Sequence, residues 1–258
     1  MDRIPTYIIN LPTSIERKKY IENLLSPYTD YLSLKFIEAI KGKDLTEEAK
    51  RELFNFDKCV KHLGRFMNDG EIGCTLSHRK CYQNILKTED DYALIFEDDI
   101  SIMRDFSLIP FRAVERILTS SKPRVVLLSG DTWYFKKREI TKVYEAIGAY
   151  SYFINRAAAE MILKIEKPYS VADDWPLYKR LGLELYALIP YFVDANLKME
   201  LFSSDVKQET WGINRRKMAL REALISYQRA IVKKTLKKIN HFESKIKVRD
   251  GKIVPGLR

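Results

Sequence analysis

The sequence predicts an α/β fold, in which a central sheet carries helices on both faces. Short apolar segments, typical of buried strands, alternate along the chain with longer amphipathic segments. The 258 residues suffice for a sizeable core, and an apolar content of 46% is that of a globular protein. No apolar run reaches the roughly 18 residues that a membrane span requires.

Each element follows from a local pattern. Apolar runs predict strands over residues 6–10, 34–40, 92–96, 124–129 and 149–154. Helical spacing predicts helices over residues 14–25, 45–63, 70–86 and 156–165. Ser14 at the start of the first helix and Asn155 before the last one are of the residue types that cap helix N-termini. The aromatic segment after Gly130 is predicted to be a loop, with Trp133, Tyr134 and Phe135.

Positive charge is concentrated at the C-terminal end. Residues 214–258 hold 14 Lys and Arg against 3 Asp and Glu, which gives this segment a net charge of +11. The whole chain has a net charge of +10, so residues 1–213 have a net charge of −1. Apolar residues recur there at helical intervals and predict a basic amphipathic helix, broken in two. They are Leu220, Leu224, Tyr227 and Ile231, then Leu236, Ile239, Phe242 and Ile246.

Two interpretations of this tail remain open. Its apolar stripe docks on the body of the protein, or its basic surface lies on anionic lipid, where each basic residue adds up to about 1 kcal/mol. The excess of positive charge is confined to the tail and no recognition motif occurs in the sequence, so we expect no nucleic-acid partner.

The cysteines and the N-terminus indicate a reduced compartment. The 3 cysteines and 3 histidines have no zinc-type spacing in the sequence. The first residues lack the apolar core of a signal peptide and are typical of a first strand. A cytoplasmic location is therefore expected.

The most informative segment is an acidic triplet, Glu97-Asp98-Asp99, directly after the apolar run 92–96. The carboxyl edge of an α/β sheet is where ligands bind, and carboxylates packed this closely repel unless a cation lies between them. A divalent metal with oxygen ligands, joined by a diphosphate, would fit this arrangement. Acids that are only solvated, or that cap a helix, are the alternative.

Three further segments have both a structural and a functional interpretation. Asn10 and Arg17 fit either a routine turn or contacts to a nucleotide and its phosphates. The segment 70–78 brackets Glu71 with glycines, which suit close approach of a ligand or of a neighbouring element, and His78 fits either the core or a binding site. In segment 171–177 a carboxylate pair caps a helix or supplies a general base, and the tryptophan that follows could stack on a sugar.

Together these segments resemble glycosyltransferase family 25, which includes bacterial lipooligosaccharide galactosyltransferases and animal procollagen galactosyltransferases. The resemblance covers residues 4–195 and is carried by three motifs. They are Ile9-Asn10-Leu11 followed by Glu16-Arg17, the motif from Gly70 to His78 with its Gly-Glu-Ile-Gly-Cys start, and Ala93 to Ile100 with the acidic triplet.

The resemblance implies a GT-A-type, Rossmann-like nucleotide-sugar-binding domain with a mixed central sheet in residues 1–213, followed by the basic helical tail in 214–258. It implies Mn²⁺ or Mg²⁺ bound by an Asp-x-Asp-like motif, with Glu97 and Asp99 as the ligands. In this sequence the motif departs from strict Asp-x-Asp, since it is Glu97-Asp98-Asp99. It also implies Asp173 or Asp174 as the catalytic base. The nucleotide-sugar contacts would come from Asn10, Leu11, Arg17, Glu71, Ser77, His78 and Asp98.

The expected reaction is the inverting transfer of a hexose, galactose by resemblance, from a UDP-sugar to a hydroxyl of a lipooligosaccharide-type oligosaccharide or glycolipid. The basic tail would hold the protein at the inner face of the cytoplasmic membrane as a peripheral protein. Two alternatives from other classes are a metal-dependent phosphohydrolase acting on nucleotide-sugars and a non-enzymatic basic protein that binds membranes or nucleic acid.

Overall fold

The computed structural model describes residues 3–195, 218–243, 247–249 and 252–254. The strands are β1 (Ile4–Asn10), β2 (Leu32–Glu38), β3 (Tyr92–Glu97), β4 (Ile100–Ile102), β5 (Arg124–Leu127), β6 (Asp131–Tyr134), β7 (Ile140–Ile147), β8 (Ser151–Asn155), β9 (Glu184–Leu188), β10 (Val193–Ala195), β11 (Phe242–Glu243), β12 (Lys247–Arg249) and β13 (Lys252–Val254). The α-helices are α1 (Ile15–Leu25), α2 (Glu47–Leu53), α3 (Phe56–Leu63), α4 (Asp69–Leu86), α5 (Phe111–Leu118), α6 (Arg156–Leu163), α7 (Trp175–Arg180) and α8 (Leu220–Lys238).

The central sheet has nine strands and mixed strand directions. Its order is β11-β6-β7-β9-β5-β8-β3-β1-β2. Strands β1, β2 and β3 run parallel, as do β5 and β9, whereas β8 lies antiparallel between β3 and β5. The predicted α/β fold with a mixed central sheet is confirmed.

Helices cover both faces of this sheet, because alternate residues of each central strand point to opposite sides. In β3, Ala93 and Ile95 belong to the apolar cluster that also contains residues of α4, α6 and α7. Leu94 and Phe96 belong to the cluster on the other face, with residues of α1 and α5. The acidic triplet therefore follows a strand that is buried on both sides.

Local capping explains several helix starts. The Asn68 side chain accepts a hydrogen bond from the Glu71 N–H, and Glu71 returns one, so α4 begins with a capping box. Asn155 caps α6 as predicted. Ser14 precedes α1, but its side chain makes no capping hydrogen bond. The single helix predicted over residues 45–63 is two helices, because Asn55 interrupts it and caps α3.

The aromatic segment after Gly130 was wrongly predicted to be a loop. Residues Asp131–Tyr134 form strand β6, in which Trp133 and Tyr134 are buried, and only the exposed Phe135 follows the strand. β6 pairs with β7 on one side and with β11 on the other. Phe242, predicted to be helical, lies in β11 and packs its ring on Trp133 with centroids 4.6 Å apart.

The basic amphipathic helix of the tail is confirmed as α8, but its apolar stripe does not dock on the body, contrary to one of the two interpretations. The buried carboxylate of Glu145 in β7 accepts hydrogen bonds from Arg229 at 2.8 and 2.7 Å and from Lys233 at 3.2 Å. Leu236 is buried on the same side of α8. Polar residues and one leucine thus hold α8 on the body.

The apolar stripe of α8 faces away from the body. Leu220, Leu224, Tyr227 and Ile231 are 77, 55, 61 and 52% exposed. Residues 214–217 and Ile246, which also belong to the predicted tail, lie outside the described residues. In the described part of the chain, no helix combines the length and apolarity needed to cross a bilayer.

Candidate functional site

The acidic triplet lies at the carboxyl edge shared by β1 and β3, as predicted. Asn10 ends β1, and its Nδ2 donates to Oδ2 of Asp98 at 2.7 Å. The Arg17 guanidinium, from α1, bonds to the other Asp98 oxygen and lies 2.7 Å from Oδ2 of Asp99. Glu97 is the last residue of β3, and its Oε1 lies 3.3 Å from Nε2 of His78. The strand order therefore brings these predicted residues together.

The site carries more negative charge than Arg17 balances. Oδ1 of Asp99 is buried and has no hydrogen-bond partner among the described residues. Burial and the neighbouring Glu97 raise the pKa of Asp99 to about 6, although Arg17 opposes the shift. An unpartnered carboxylate oxygen beside a second carboxylate is a hard donor set, which suits Mn²⁺ or Mg²⁺. Glu97 and Asp99 therefore fit the implied metal.

Asp98 differs from its neighbours, because both of its oxygens already have partners in Asn10 and Arg17. Burial raises its pKa, and the charge of Arg17 and the hydrogen bond from Asn10 oppose this shift. Its position suits a residue that holds Arg17 in place.

A cleft opens beside the triplet and is also lined by the loop after β2. Its walls combine apolar, basic and acidic side chains. The lining residues include Ile9, Leu11, Arg17, Ala39, Ile40, Lys41, Lys43, Cys74, Ser77, His78, Glu97, Asp98 and Asp99. Sequence reasoning missed Lys41 and Lys43. The available signal was a Lys-Gly-Lys sequence directly after the second predicted strand.

Close backbone approach joins the loop after β2 to helix α4. A Cβ atom on Gly73 would lie 2.4 Å from the Ile40 carbonyl oxygen, and one on Gly42 would lie 1.8 Å from the Asp69 carbonyl oxygen. Ser77 adds a link, since its hydroxyl accepts from the Ile40 N–H at 2.8 Å and donates to the Gly73 carbonyl at 2.7 Å. Gly73 of the 70–78 motif therefore allows the loop after β2 to approach α4 closely. Close approach of a neighbouring element was one of the two interpretations of the motif.

Most of the residues predicted to contact the nucleotide-sugar lie at the cleft, but Glu71 does not line it. Leu11, Arg17, Ser77, His78 and Asp98 line the cleft, and Asn10 reaches it through Asp98. Glu71 caps α4 and accepts two hydrogen bonds from Arg65 at 2.7 and 2.6 Å. The ligand roles of all these residues remain predictions.

His78 lies almost fully buried at the cleft floor. Its Nδ1 is 2.7 Å from the Tyr152 hydroxyl, and its Nε2 is 3.3 Å from Oε1 of Glu97. Cys74 precedes His78 by one helical turn, and ligand atoms of Cys74, His78 and Glu97 all lie within 4.8 Å of one another. The sequence showed no zinc-type spacing because the third residue comes from a strand.

The carboxylate pair of segment 171–177 divides into two different environments. Asp174 caps α7 through the Leu177 N–H at 3.0 Å, and its other oxygen bonds to Ser170 and to Nε2 of His62, 2.6 Å away. Burial alone would raise its pKa, but the hydrogen bonds and the charge of His62 hold the pKa below its usual value.

Asp173 has fewer partners. Its Oδ2 accepts from the Gly148 N–H at 2.8 Å. Burial raises its pKa, and the charges of Asp174 and Glu97 add to the shift. Its charge also raises the pKa of the Cys74 thiol, although Asp173 is not itself among the residues that line the cleft.

Trp175 does not stack on a ligand, contrary to one interpretation of the sequence. Its side chain is fully buried, and its indole N–H donates to the Gly148 carbonyl at 2.9 Å. Its ring meets the ring of Tyr152 edge-on at 5.4 Å. Trp175 therefore supports the carboxylate pair as part of the core.

The chain is similar to several known proteins. A Drosophila pseudoobscura pseudoobscura glycosyltransferase 25 family member is 33% identical over 99 residues, which cover 36% of this chain and 15% of that protein. The human procollagen galactosyltransferase 2 is 28% identical over 104 residues, covering 39% of this chain and 16% of that protein. The crystal structure of A197 from STIV has a TM-score of 0.41 and 14% identity, covering 75% of this chain and 84% of that chain.

This chain spans no more than about a third of the length of the curated relatives that it matches. The family assignment comes from a longer match. Residues 3–176, more than half of the chain, match the sequence model of "Glycosyltransferase family 25 (LPS biosynthesis protein)". This chain therefore belongs to glycosyltransferase family 25.

Proposed function

We propose that this protein is a metal-dependent glycosyltransferase that moves a hexose from a UDP-sugar to an acceptor hydroxyl with inversion. The observation that carries the proposal is the cleft that is lined both by the acidic Glu97 and Asp99 and by the basic Lys41 and Lys43. Membership of the family supports glycosyl transfer. The galactosyltransferase activity named for the human relative supports galactose as the hexose.

Glu97 and Asp99 would hold Mn²⁺ or Mg²⁺, since Oδ1 of Asp99 is a buried acceptor without a partner among the described residues. When bound, such a cation supplies positive charge that stabilises the diphosphate leaving group. Arg17 remains bonded to Asp98 and Asp99 and adds a fixed positive charge beside the cluster.

The donor would lie in the cleft, in contact with both its acidic and its basic side chains. Lys41 and Lys43 follow β2 and offer ammonium groups to phosphate oxygens. Ile9, Leu11 and Ile40 provide apolar surface on which a base or sugar ring can pack.

Asp173 would accept the proton of the attacking hydroxyl. One of its oxygens is fixed by the Gly148 N–H, so the carboxylate has a defined orientation. A raised carboxyl pKa also makes a stronger base near neutral pH. Asp174 is less suited, because its oxygens are engaged by Leu177, His62 and Ser170.

The proposal is tested by UDP release from UDP-galactose with a lipooligosaccharide acceptor, with Mn²⁺ or with EDTA. Asp99→Asn should lose most activity, whereas Asp30→Asn, a matched change at an exposed residue, should not. Equal activity of Asp99→Asn and wild type, or no effect of EDTA, would contradict the metal assignment. UDP-sugar consumption that needs no acceptor would favour a phosphohydrolase.

The acceptor is proposed to be a lipooligosaccharide-type glycolipid, in keeping with the family description. We further propose that α8 holds the protein on an anionic membrane surface as a peripheral protein. Its apolar stripe faces outward, beside the exposed cations Arg221, Lys234 and Lys238. Glu222, the one acidic residue of α8, instead turns inward to Arg180 and His62.

Sedimentation with anionic liposomes tests this arrangement in the full chain. Leu224→Glu should weaken binding at least tenfold, because burying a leucine side chain contributes about 1.5–3 kcal/mol. Ile15→Glu is the matched control, since Ile15 on α1 is 59% exposed and Leu224 is 55% exposed. Equal binding of the two variants would contradict the role of the stripe.

A further inference from the structure

A second set of potential metal ligands lies at the floor of the cleft, next to the carboxylate cluster. Cys74 and His78 are one turn apart on α4, so both face the same side of the helix. Glu97 reaches the same point from the end of β3. The Cys74 sulfur, a His78 ring nitrogen and a Glu97 oxygen all lie within 4.8 Å of one another.

The environment of His78 resembles that of a metal-binding histidine. Such histidines usually bond their second ring nitrogen to a fixed partner, which orients the ring and sets its tautomer. Here Nδ1 is 2.7 Å from the Tyr152 hydroxyl, and that hydroxyl is 2.7 Å from the Tyr82 hydroxyl. Tyr152 and Tyr82 are both buried, so the ring of His78 is held with Nε2 toward Glu97.

Cys74 has the access that a ligand needs. It lines the cleft and is partly exposed, whereas Cys59 and Cys81 are buried. Burial raises the pKa of its thiol, and the negative charges of Glu97, Asp173 and Asp99 raise it further; the same negative charge attracts a cation to this point.

The ligand atoms of Cys74, His78 and Glu97 favour a different metal from the one that the carboxylate cluster favours. Thiolate, imidazole and carboxylate together are typical ligands of Zn²⁺, whereas Mn²⁺ and Mg²⁺ favour oxygen donors. Three protein ligands beside an open cleft also match zinc sites that keep a fourth position for a solvent molecule or another ligand.

We propose that Cys74, His78 and Glu97 form a binding site for Zn²⁺ at the floor of the cleft. This site goes beyond the proposed function, and it shares Glu97 with the proposed Mn²⁺ or Mg²⁺ site. Binding would release the thiol proton of Cys74 to solvent and form a sulfur–zinc bond without any redox change.

Cobalt titration of the full chain tests the proposal, because Co²⁺ replaces Zn²⁺ and gives a thiolate-to-cobalt charge-transfer band in the near ultraviolet. We expect one Co²⁺ per chain with this band, and its loss when Zn²⁺ is added. Cys74→Ala should abolish the band and weaken Zn²⁺ binding, measured by calorimetry, at least tenfold. Cys59→Ala is the matched control and should keep both signals.

Asp99→Asn separates this site from the proposed function, since it removes a ligand of the carboxylate cluster only. The variant should keep the cobalt band even when it loses UDP release. Circular dichroism melts establish that Cys74→Ala and wild type are equally folded. A wild-type protein without the band, or a folded Cys74→Ala variant that keeps it, would overturn the zinc site.

Discussion

Replacement of Glu145 by glutamine tests how α8 is held on the body. The Glu145 side chain is 4% exposed, and its partners Arg229 and Lys233 are 31 and 24% exposed. Glutamine preserves the shape of the side chain but removes the charge. Both cations would then lie half-buried without their carboxylate.

The magnitude follows from this geometry. Removing one partner of a fully buried ion pair costs about 3–5 kcal/mol. Arg229 and Lys233 keep part of their contact with water, so we expect a loss of about 2–3 kcal/mol in the free energy of unfolding. For a chain of this size, that loss corresponds to a fall of about 5–10 °C in Tm. The buried Leu236 should keep α8 partly docked.

The pH dependence has a definite sign. Burial opposes ionisation of Glu145, but Arg229 and Lys233 together hold its pKa below the ordinary value of 4.5. A carboxyl group with a lowered folded-state pKa stabilises the protein above the unfolded-state pKa and loses this contribution as pH falls through the folded-state pKa. The stability difference between wild type and Glu145→Gln should therefore be constant from pH 6 to 8 and shrink below about pH 4.5.

Thermal and urea unfolding measure the difference, and limited proteolysis within α8 reports its release. Glu160→Gln is the matched control, because it makes the same change at an exposed position of α6. Equal Tm values for the two variants at pH 7 would refute the reasoning. So would a difference that is unchanged at pH 4.

Further outcomes are expected for four sets of substitutions. Gly73→Ala should lower stability by about 1–3 kcal/mol in urea unfolding, because its Cβ would lie 2.4 Å from a backbone oxygen. Asp173→Asn should lower kcat by about 10²–10⁴ with little change in Tm, whereas Asp174→Ala should also lower stability by about 0.5–2 kcal/mol through loss of the helix cap. Replacing Lys41 and Lys43 by alanine should raise KM for the UDP-sugar at least tenfold, and an unchanged KM would contradict their proposed role.

The sequence was sufficient to predict the layers of the fold and the place of the acidic triplet. Parallel strands end at the same edge of a sheet, so residues that follow β1 and β3 had to meet. Capping residues such as Asn155 mark helix starts because they satisfy backbone groups locally. These features depend on near neighbours in the chain or on simple strand geometry.

Contacts between distant segments could not be predicted in this way. An amphipathic pattern shows which residues of α8 share a face, but not which face meets the body. That choice depends on Glu145, which precedes Arg229 by 84 positions. The difference between Asp173 and Asp174 likewise depends on His62, and strand β6 pairs with β11 through Trp133 and Phe242, which are far apart in the sequence.

Glu97 belongs to both proposed metal sites, so a metal bound at one site should affect the activity that depends on the other. Glu97 cannot bind a cation in each of the two sites independently, because two divalent cations this close repel each other strongly. Even two unit charges 4 Å apart repel by about 4 kcal/mol at an effective dielectric constant of 20. Zn²⁺ on Cys74 and His78 would therefore weaken Mn²⁺ binding at Asp99. Zinc should inhibit Mn²⁺-dependent UDP release in wild type, and Cys74→Ala should resist that inhibition. If both proteins were inhibited equally, the zinc effect would have to arise at the carboxylate cluster itself.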